Sequence, residues 1–185
     1  YQQILGFGEY GFPESHSASF SLLVYVSAWL KCYEPAAFCA ALINSQPMGF
    51  YAPAQLVADA RRHGVQVRNV DATVSDWDCT LEAAAESTPA MRLGLRLVAG
   101  LREAAALRIV AARAQRPFAH FADLAHRARL DRRDLTALAA AGALAPLAGH
   151  RHAAVWDVAG VERLPPILAG STFAETAPQL PPPTE

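Results

Sequence analysis

From Ser17 onward, apolar residues recur at the three- and four-residue spacing of a helix. Leu22, Leu23, Val26, Trp29 and Leu30 form a wide stripe, which predicts a helix capped by Ser15 or Ser17 and running to about Tyr33. Glu34-Pro35 breaks it. Pro35 suits the first turn of a second helix, about 36–45, through Phe38, Ala41 and Leu42. Pro47-Met48-Gly49 is a loop, and Pro53 opens a third helix, about 53–63, closed by Gly64. Three short helices in succession predict an all-α layer.

The pattern then changes. Val65 to Arg68 alternates as a strand does, and Asp71 to Asp78 is polar and turn-rich. Trp77–Leu81 and Met91–Leu97 are predicted as two short strands around a loop from Glu82 to Pro89. A boundary is expected near residue 70. From Leu101 the period is helical again, over about 101–115, 120–128, 131–141 and 150–159. Asp123, Asp131 and His150 stand near helix starts, and Gly142, Gly149 and Gly160 near ends. The expected fold class is mainly α with a small β element, and two helical hairpins of similar size follow one another. Pro165-Pro166, Pro178 and Pro181–Pro183 predict a linker or frayed tail over 161–185.

Composition adds the class. The chain has 185 residues, 52% of them apolar and 18% charged, enough for one globular domain or two small ones with their own cores. No uninterrupted apolar run reaches the roughly 18 residues that span a bilayer. The opening shows no signal-peptide pattern, and its first residue is Tyr1, which reads as a piece of a longer protein. Cys32, Cys39 and Cys79 have no metal spacing and read as reduced, buried thiols of a cytoplasmic protein.

Charge changes the picture more. The whole chain carries −1, but residues 92–133 hold ten Arg against three acids, a net of +7. Residues 1–91 carry −5 and residues 134–185 carry −3. An Arg-rich block between acidic flanks is the local pattern of a polyanion site, or of a solvated helical surface.

Within that block, Val98-Ala-Gly-Leu-Arg-Glu-Ala-Ala-Ala106 resembles the hairpin of a helix-hairpin-helix motif. A tight Gly turn aims backbone N–H groups at a phosphate, and the following helix adds its positive end. Such a hairpin grips the nucleic-acid backbone and reads no sequence. Arg102 stands where the motif usually has its second Gly, which is costly if that position needs a positive φ. Gly100, Leu101 and Arg102, with Arg92, Arg96 and Arg113 nearby, are the candidate DNA contacts. Asp76-Trp-Asp78 has a metal-like spacing but reads as a turn and strand edge, so no metal site is assigned. No catalytic residue is assigned.

Tyr10-Gly-Phe-Pro-Glu-Ser-His-Ser-Ala-Ser-Phe20, leading to Ala28-Trp-Leu-Lys31, resembles the fingers signature of bacterial C-family DNA polymerases. Pro13-Glu14 before Ser15-His16 is similar to the error-prone, damage-tolerant branch; the replicative branch typically has Lys at the position of Glu14. Met91 to Gly100, Ile109 to Arg113, Pro117-Phe118, Asp123-Leu124, Leu138 to Gly142, Gly149 to Arg151 and Trp156 continue the resemblance in order, over about 6–160. It implies that residues 1–70 end a helical fingers subdomain, and that 71–160 hold the small β element and a helix-hairpin-helix region.

For the intact enzyme, the resemblance implies error-prone synthesis across damaged template. It puts Ser15 and His16 near the triphosphate of the incoming deoxynucleotide or the primer terminus, and primer-template DNA on the hairpin region. It also implies Mg²⁺ held by palm carboxylates outside this fragment, a sliding clamp and damage-response proteins as partners, and no membrane. The residues by themselves also admit a non-catalytic helix-hairpin-helix module of a repair protein, or a helical protein-interaction domain.

Overall fold

The computed structural model describes residues 14–49, 51–84 and 88–149 with 154 and 158, and of Glu14–His16 only the backbone. They fall into two compact units, one within Tyr1–Arg68 and Leu81–Met91, the other within Asn69–Thr80 and Arg92–Glu185. The predicted helix at 150–159 and the Pro-rich 161–185 lie outside the described residues, Ala154 and Val158 excepted.

The first unit holds α1 (Glu14–Tyr33), α2 (Pro35–Asn44) and α3 (Pro53–Arg62). Pro35 and Pro53 both sit in the first turns of their helices, where a missing N–H costs nothing. α1 is already helical at Glu14, so Ser15 and Ser17 stand inside it and do not cap it. Its apolar stripe is not buried in this chain: Leu22, Leu23, Val26 and Trp29 are 45–64% exposed. Phe20, Val24, Tyr25 and Tyr33 are exposed too, so the helix is apolar on every side. The interior of this unit is built instead from Ala36, Cys39, Ala40 and Ile43 of α2 with Ala60 of α3, and from Val65, Ala90 and Met91. Cys39 is buried as expected, but Cys32 is exposed on α1.

Three short strands, β1 (Val67–Arg68), β2 (Thr80–Glu82) and β3 (Ala90–Arg92), form one sheet with β3 in the middle. Arg68 and Glu82 are ion-paired across it. The predicted strand 91–97 is shorter than expected. It ends at Arg92, and Leu95–Leu97 coil into a 3₁₀ turn. The reason is a close approach at Gly94: a Cβ there would lie 2.4 Å from the Trp77 carbonyl oxygen and from Asp78 C. Leu95 N–H then donates to Asp76 O at 2.8 Å and Arg96 N–H to Trp77 O at 3.0 Å. Those two carbonyls are thereby occupied, and the strand predicted from Trp77 begins only at Thr80.

The second unit is helical: α4 (Glu103–Gln115), α5 (Phe121–Arg127), α6 (Arg132–Ala140) and the single turn α7 (Ala145–Ala148), which the sequence pattern did not predict. α4 stops because Arg116 must be extended before Pro117. Ala105, Ala106, Ile109 and Ala112 make its buried face. Phe121, Leu124 and Ala125 of α5 and Leu135, Leu138 and Ala139 of α6 complete one core with it. The many alanines let the helices approach closely, and each fully buried Ile or Leu contributes about 1.5–3 kcal/mol.

Candidate nucleic-acid interface

Two hairpins precede the starts of α4 and α6, and they are built alike. In the first, Gly100 is left-handed at φ +84°. Leu101 follows, 8% exposed and packed into the core, with its N–H on Val98 O at 3.1 Å. Arg102 is then the extended residue from which α4 begins. In the second, Arg129 is left-handed at φ +50°. Leu130 packs against the same core, its N–H on Ala125 O at 3.0 Å, and Asp131 is the extended residue before α6. Arg102 has φ −82°, so the position where the motif usually carries a second glycine is unstrained for a side chain.

The two helix starts differ in electrostatics. Arg102 makes no side-chain cap on α4, so the first N–H groups of that helix take no carboxylate or hydroxyl from their cap residue. Glu103 in the same turn offsets part of the positive end. At α6 the Asp131 carboxylate already accepts from Asp134 N–H at 2.9 Å. That bond, with Arg102 alongside, holds the Asp131 carboxyl below its usual range.

The candidate arginines are largely engaged within the fold. Arg92 donates to Asn69 O at 2.8 Å. Arg96 pairs with Asp78 at 2.6 Å, its side chain 20% exposed. Arg113 pairs with Asp76 at 2.6 Å and donates to Ser75 O at 2.9 Å. Arg102 pairs with Asp131 and, at 2.7 Å, with Asp134. The Asp134 hydrogen bond, foremost, raises the Arg102 pKa above the ordinary arginine value. Arg116 and Arg127 share Asp123 at 2.8 and 3.3 Å, and Arg127 lies 5.0 Å over the Phe118 ring. Arg108 donates to Ala128 O at 2.8 Å and Arg129 O at 3.3 Å, holding the second hairpin from α4.

Three exposed arginines of the block have no acid or carbonyl partner among the described residues: Arg129, Arg132 and Arg133, all at the second hairpin. The motif pattern did not single them out. The available signal was the repeat of left-handed residue, leucine and cap at Gly100-Leu101-Arg102 and Arg129-Leu130-Asp131, hidden because the left-handed residue is Arg in the second copy. Ser15 and His16 lie in the first turn of α1, and their side chains lie outside the described residues. Asp76 and Asp78, facing Arg113 and Arg96, are not arranged as metal ligands. Among the described residues no group of three His, Cys, Asp or Glu is placed to hold a metal ion.

Comparison with known proteins agrees with this geometry. The helix-hairpin-helix motif family matches residues 64–154, which include both hairpins. An error-prone DNA polymerase of Alkalilimnicola ehrlichii is 61% identical over 185 residues, all of this chain. Those of Methylococcus capsulatus and Azoarcus sp. are 59% and 66% identical, over 100% and 86% of this chain. Over its whole length the chain is similar to error-prone DNA polymerases. It spans about 18% of the length of these curated relatives, so it corresponds to one segment of such a polymerase. Among the described residues no helix is long and apolar enough to cross a membrane.

Proposed function

We propose that the intact protein is a DNA-directed DNA polymerase that copies damaged template. This segment supplies the end of the fingers over about 1–70 and a small β element plus duplex-gripping helix-hairpin-helix region over about 71–160, with 161–185 a Pro-rich linker or tail. The observation that carries the reading is identity of about 60% to error-prone DNA polymerases over the whole of this chain, with a helix-hairpin-helix match that includes the paired hairpins.

In this reading Ser15 and His16 face the incoming deoxynucleoside triphosphate. Its transfer uses Mg²⁺, held by carboxylates that this reading puts outside the segment. The exposed apolar surface of α1 suits a helix that packs against further parts of a large polymerase. A cytoplasmic enzyme recruited by a sliding clamp and damage-response proteins is the corresponding setting.

The hairpins hold duplex backbone unevenly. The Gly100-Leu101 turn leads into the uncapped first N–H groups of α4, and Arg129, Arg132 and Arg133 supply cations that have no partner among the described residues. Arg92, Arg96, Arg102 and Arg113, tied to Asn69, Asp78, Asp134 and Asp76, shape the interface and contribute to its field. The second unit holds ten arginines against seven carboxylates in its described residues, a net of +3.

Primer extension with Mg²⁺ and four deoxynucleotides tests the reading. The full-length protein extends a primer past a template lesion, and the 185-residue chain alone extends nothing. A full-length protein that binds duplex but never incorporates a nucleotide would favour a non-catalytic repair module instead.

A further inference from the structure

Asp134 is a fully buried carboxylate in a unit whose other described carboxylates reach solvent. It is not needed to cap α6, because Asp131 does that. Its two oxygens turn instead toward α4. Arg102 Nε donates to one at 3.2 Å and Arg102 Nη2 to the other at 2.7 Å, and Arg108 Nη2 lies 3.8 Å away. Arg102 is the last residue of the first hairpin, and Asp134 lies in the first turn after the second. A two-point Arg–carboxylate contact therefore joins the starts of the two helices that follow the hairpins.

Burying the Asp134 carboxylate against a half-exposed arginine is a poor way to gain stability, because desolvation offsets much of the attraction. The pair's planar, two-bond geometry fixes orientation well. We infer that Arg102 and Asp134 form a positioning strut that sets the spacing of the two hairpins, so that both meet the phosphates of one duplex together. The inference rests on the duplex-binding reading above. It makes Arg102 a positioning residue, not a phosphate contact. Without the strut, the Arg108 bonds and the shared core hold the second hairpin but fix its spacing from the first less tightly, and affinity falls by the cost of settling that spacing during binding.

Charge separates the strut from the simpler idea that Arg102 neutralises a phosphate. Asp134→Asn removes a negative charge, which by field alone strengthens DNA binding. The strut predicts the opposite, a loss of about tenfold, within the usual range of coupling between contacting residues. Arg102→Lys keeps the charge but loses the fork, and the strut predicts a similar loss. The salt slope distinguishes further: losing one phosphate contact flattens it by about 0.9, and losing the strut leaves it unchanged.

The measurement is titration of the full-length protein, wild type and variants, with a random-sequence primer-template duplex at several salt concentrations, well below each variant's melting temperature. Expected are weaker binding by Asp134→Asn and Arg102→Lys at an unchanged slope, and no further loss in the double variant. Tighter or unaltered binding by Asp134→Asn overturns the strut, as does near-wild-type binding by Arg102→Lys. If wild-type binding is absent or independent of salt, the duplex reading fails and the strut with it. If Arg132→Gln flattens the slope while Asp134→Asn changes nothing, only the strut fails.

Discussion

Arg113 on α4 lies 2.6 Å from Asp76, in a loop far away in sequence. Its guanidinium also donates to Ser75 O at 2.9 Å and Ala72 O at 3.4 Å, so one side chain closes the turn over 71–76. That turn is tightly made. Asp71 accepts from Thr73 N–H and Oγ1 at 2.8 and 2.6 Å, and buried Ser75 bridges Asp71 N–H and Leu93 O. The positive block in the sequence thus finds part of its counter-charge outside itself, at Asp76, Asp78 and Asp134, besides Asp123 and Asp131 within it.

Arg113→Ala is expected to destabilise the protein by about 1–3 kcal/mol, because it leaves buried carbonyls without donors. Arg113→Lys restores little of this, since an ammonium cannot reach three acceptors in the guanidinium plane. Thermal denaturation of both variants checks it; full recovery by Lys would show that charge alone matters there.

Gly94→Ala should cost at least about 2 kcal/mol, because its Cβ meets backbone atoms that no rotamer can move aside. Gly100→Ala should cost about 1–2 kcal/mol for a different reason. Its surroundings are open, but its φ of +84° is unfavourable to any Cβ. Denaturant unfolding of the two variants compares steric with conformational cost, and a Gly94→Ala protein as stable as wild type would refute the packing of the 3₁₀ turn on Trp77–Asp78.

Much of the second unit was legible in the sequence. Pro117 and Asp131 mark where one helix ends and another begins, and the helical period of residues 105–112 and 121–139 names the core. Local signals work there because the helices are stabilised by neighbours close in sequence. The Gly94 contact was not legible, since it depends on a backbone sixteen or seventeen residues earlier. Nor was the engagement of Arg92, Arg96, Arg102 and Arg113, because net charge over a window cannot see the carbonyls and carboxylates outside it. The α1 stripe misled for the opposite reason: periodicity reports that a face is apolar, not what covers it.

Acid should unfold the protein through its paired carboxylates. Burial alone would raise the Asp123 pKa, but the Ala119 N–H, Arg127 and Arg116 together hold it below its usual value. The Asp134 N–H and Arg102 do so for Asp131, and the Lys31 hydrogen bond for Asp59. A carboxyl with a lower pKa folded than unfolded takes up its proton first in the unfolded chain. Its stabilisation is therefore complete above the unfolded value, about 4, and is lost as pH falls through the folded one. Stability should be level from about pH 7 to 5 and decline below about 4. Asp123→Asn should lower stability at neutral pH and make the acid decline shallower. Parallel acid declines in wild type and variant would exclude Asp123 as a contributor.

Arg129 holds a left-handed conformation, at φ +50°, that costs a side-chain-bearing residue about 1–2 kcal/mol and that glycine adopts freely. Strain retained at an exposed residue suggests a use for the side chain. Its guanidinium has no partner among the described residues, and it stands within four positions of Arg132 and Arg133. Arg129→Gly is therefore expected to raise stability, by at most about 1 kcal/mol once the greater freedom of an unfolded glycine is allowed for. The same variant should bind duplex DNA more weakly and with a salt slope flatter by about 0.9, the signature of one lost phosphate contact. Arg129→Ala separates the two effects, keeping the strain while losing the charge: its affinity should fall like that of the glycine variant without the gain in stability. Melting temperature and DNA titration on the same three proteins decide it. Unchanged binding by both variants would mean that the free cations of the second hairpin do not touch DNA.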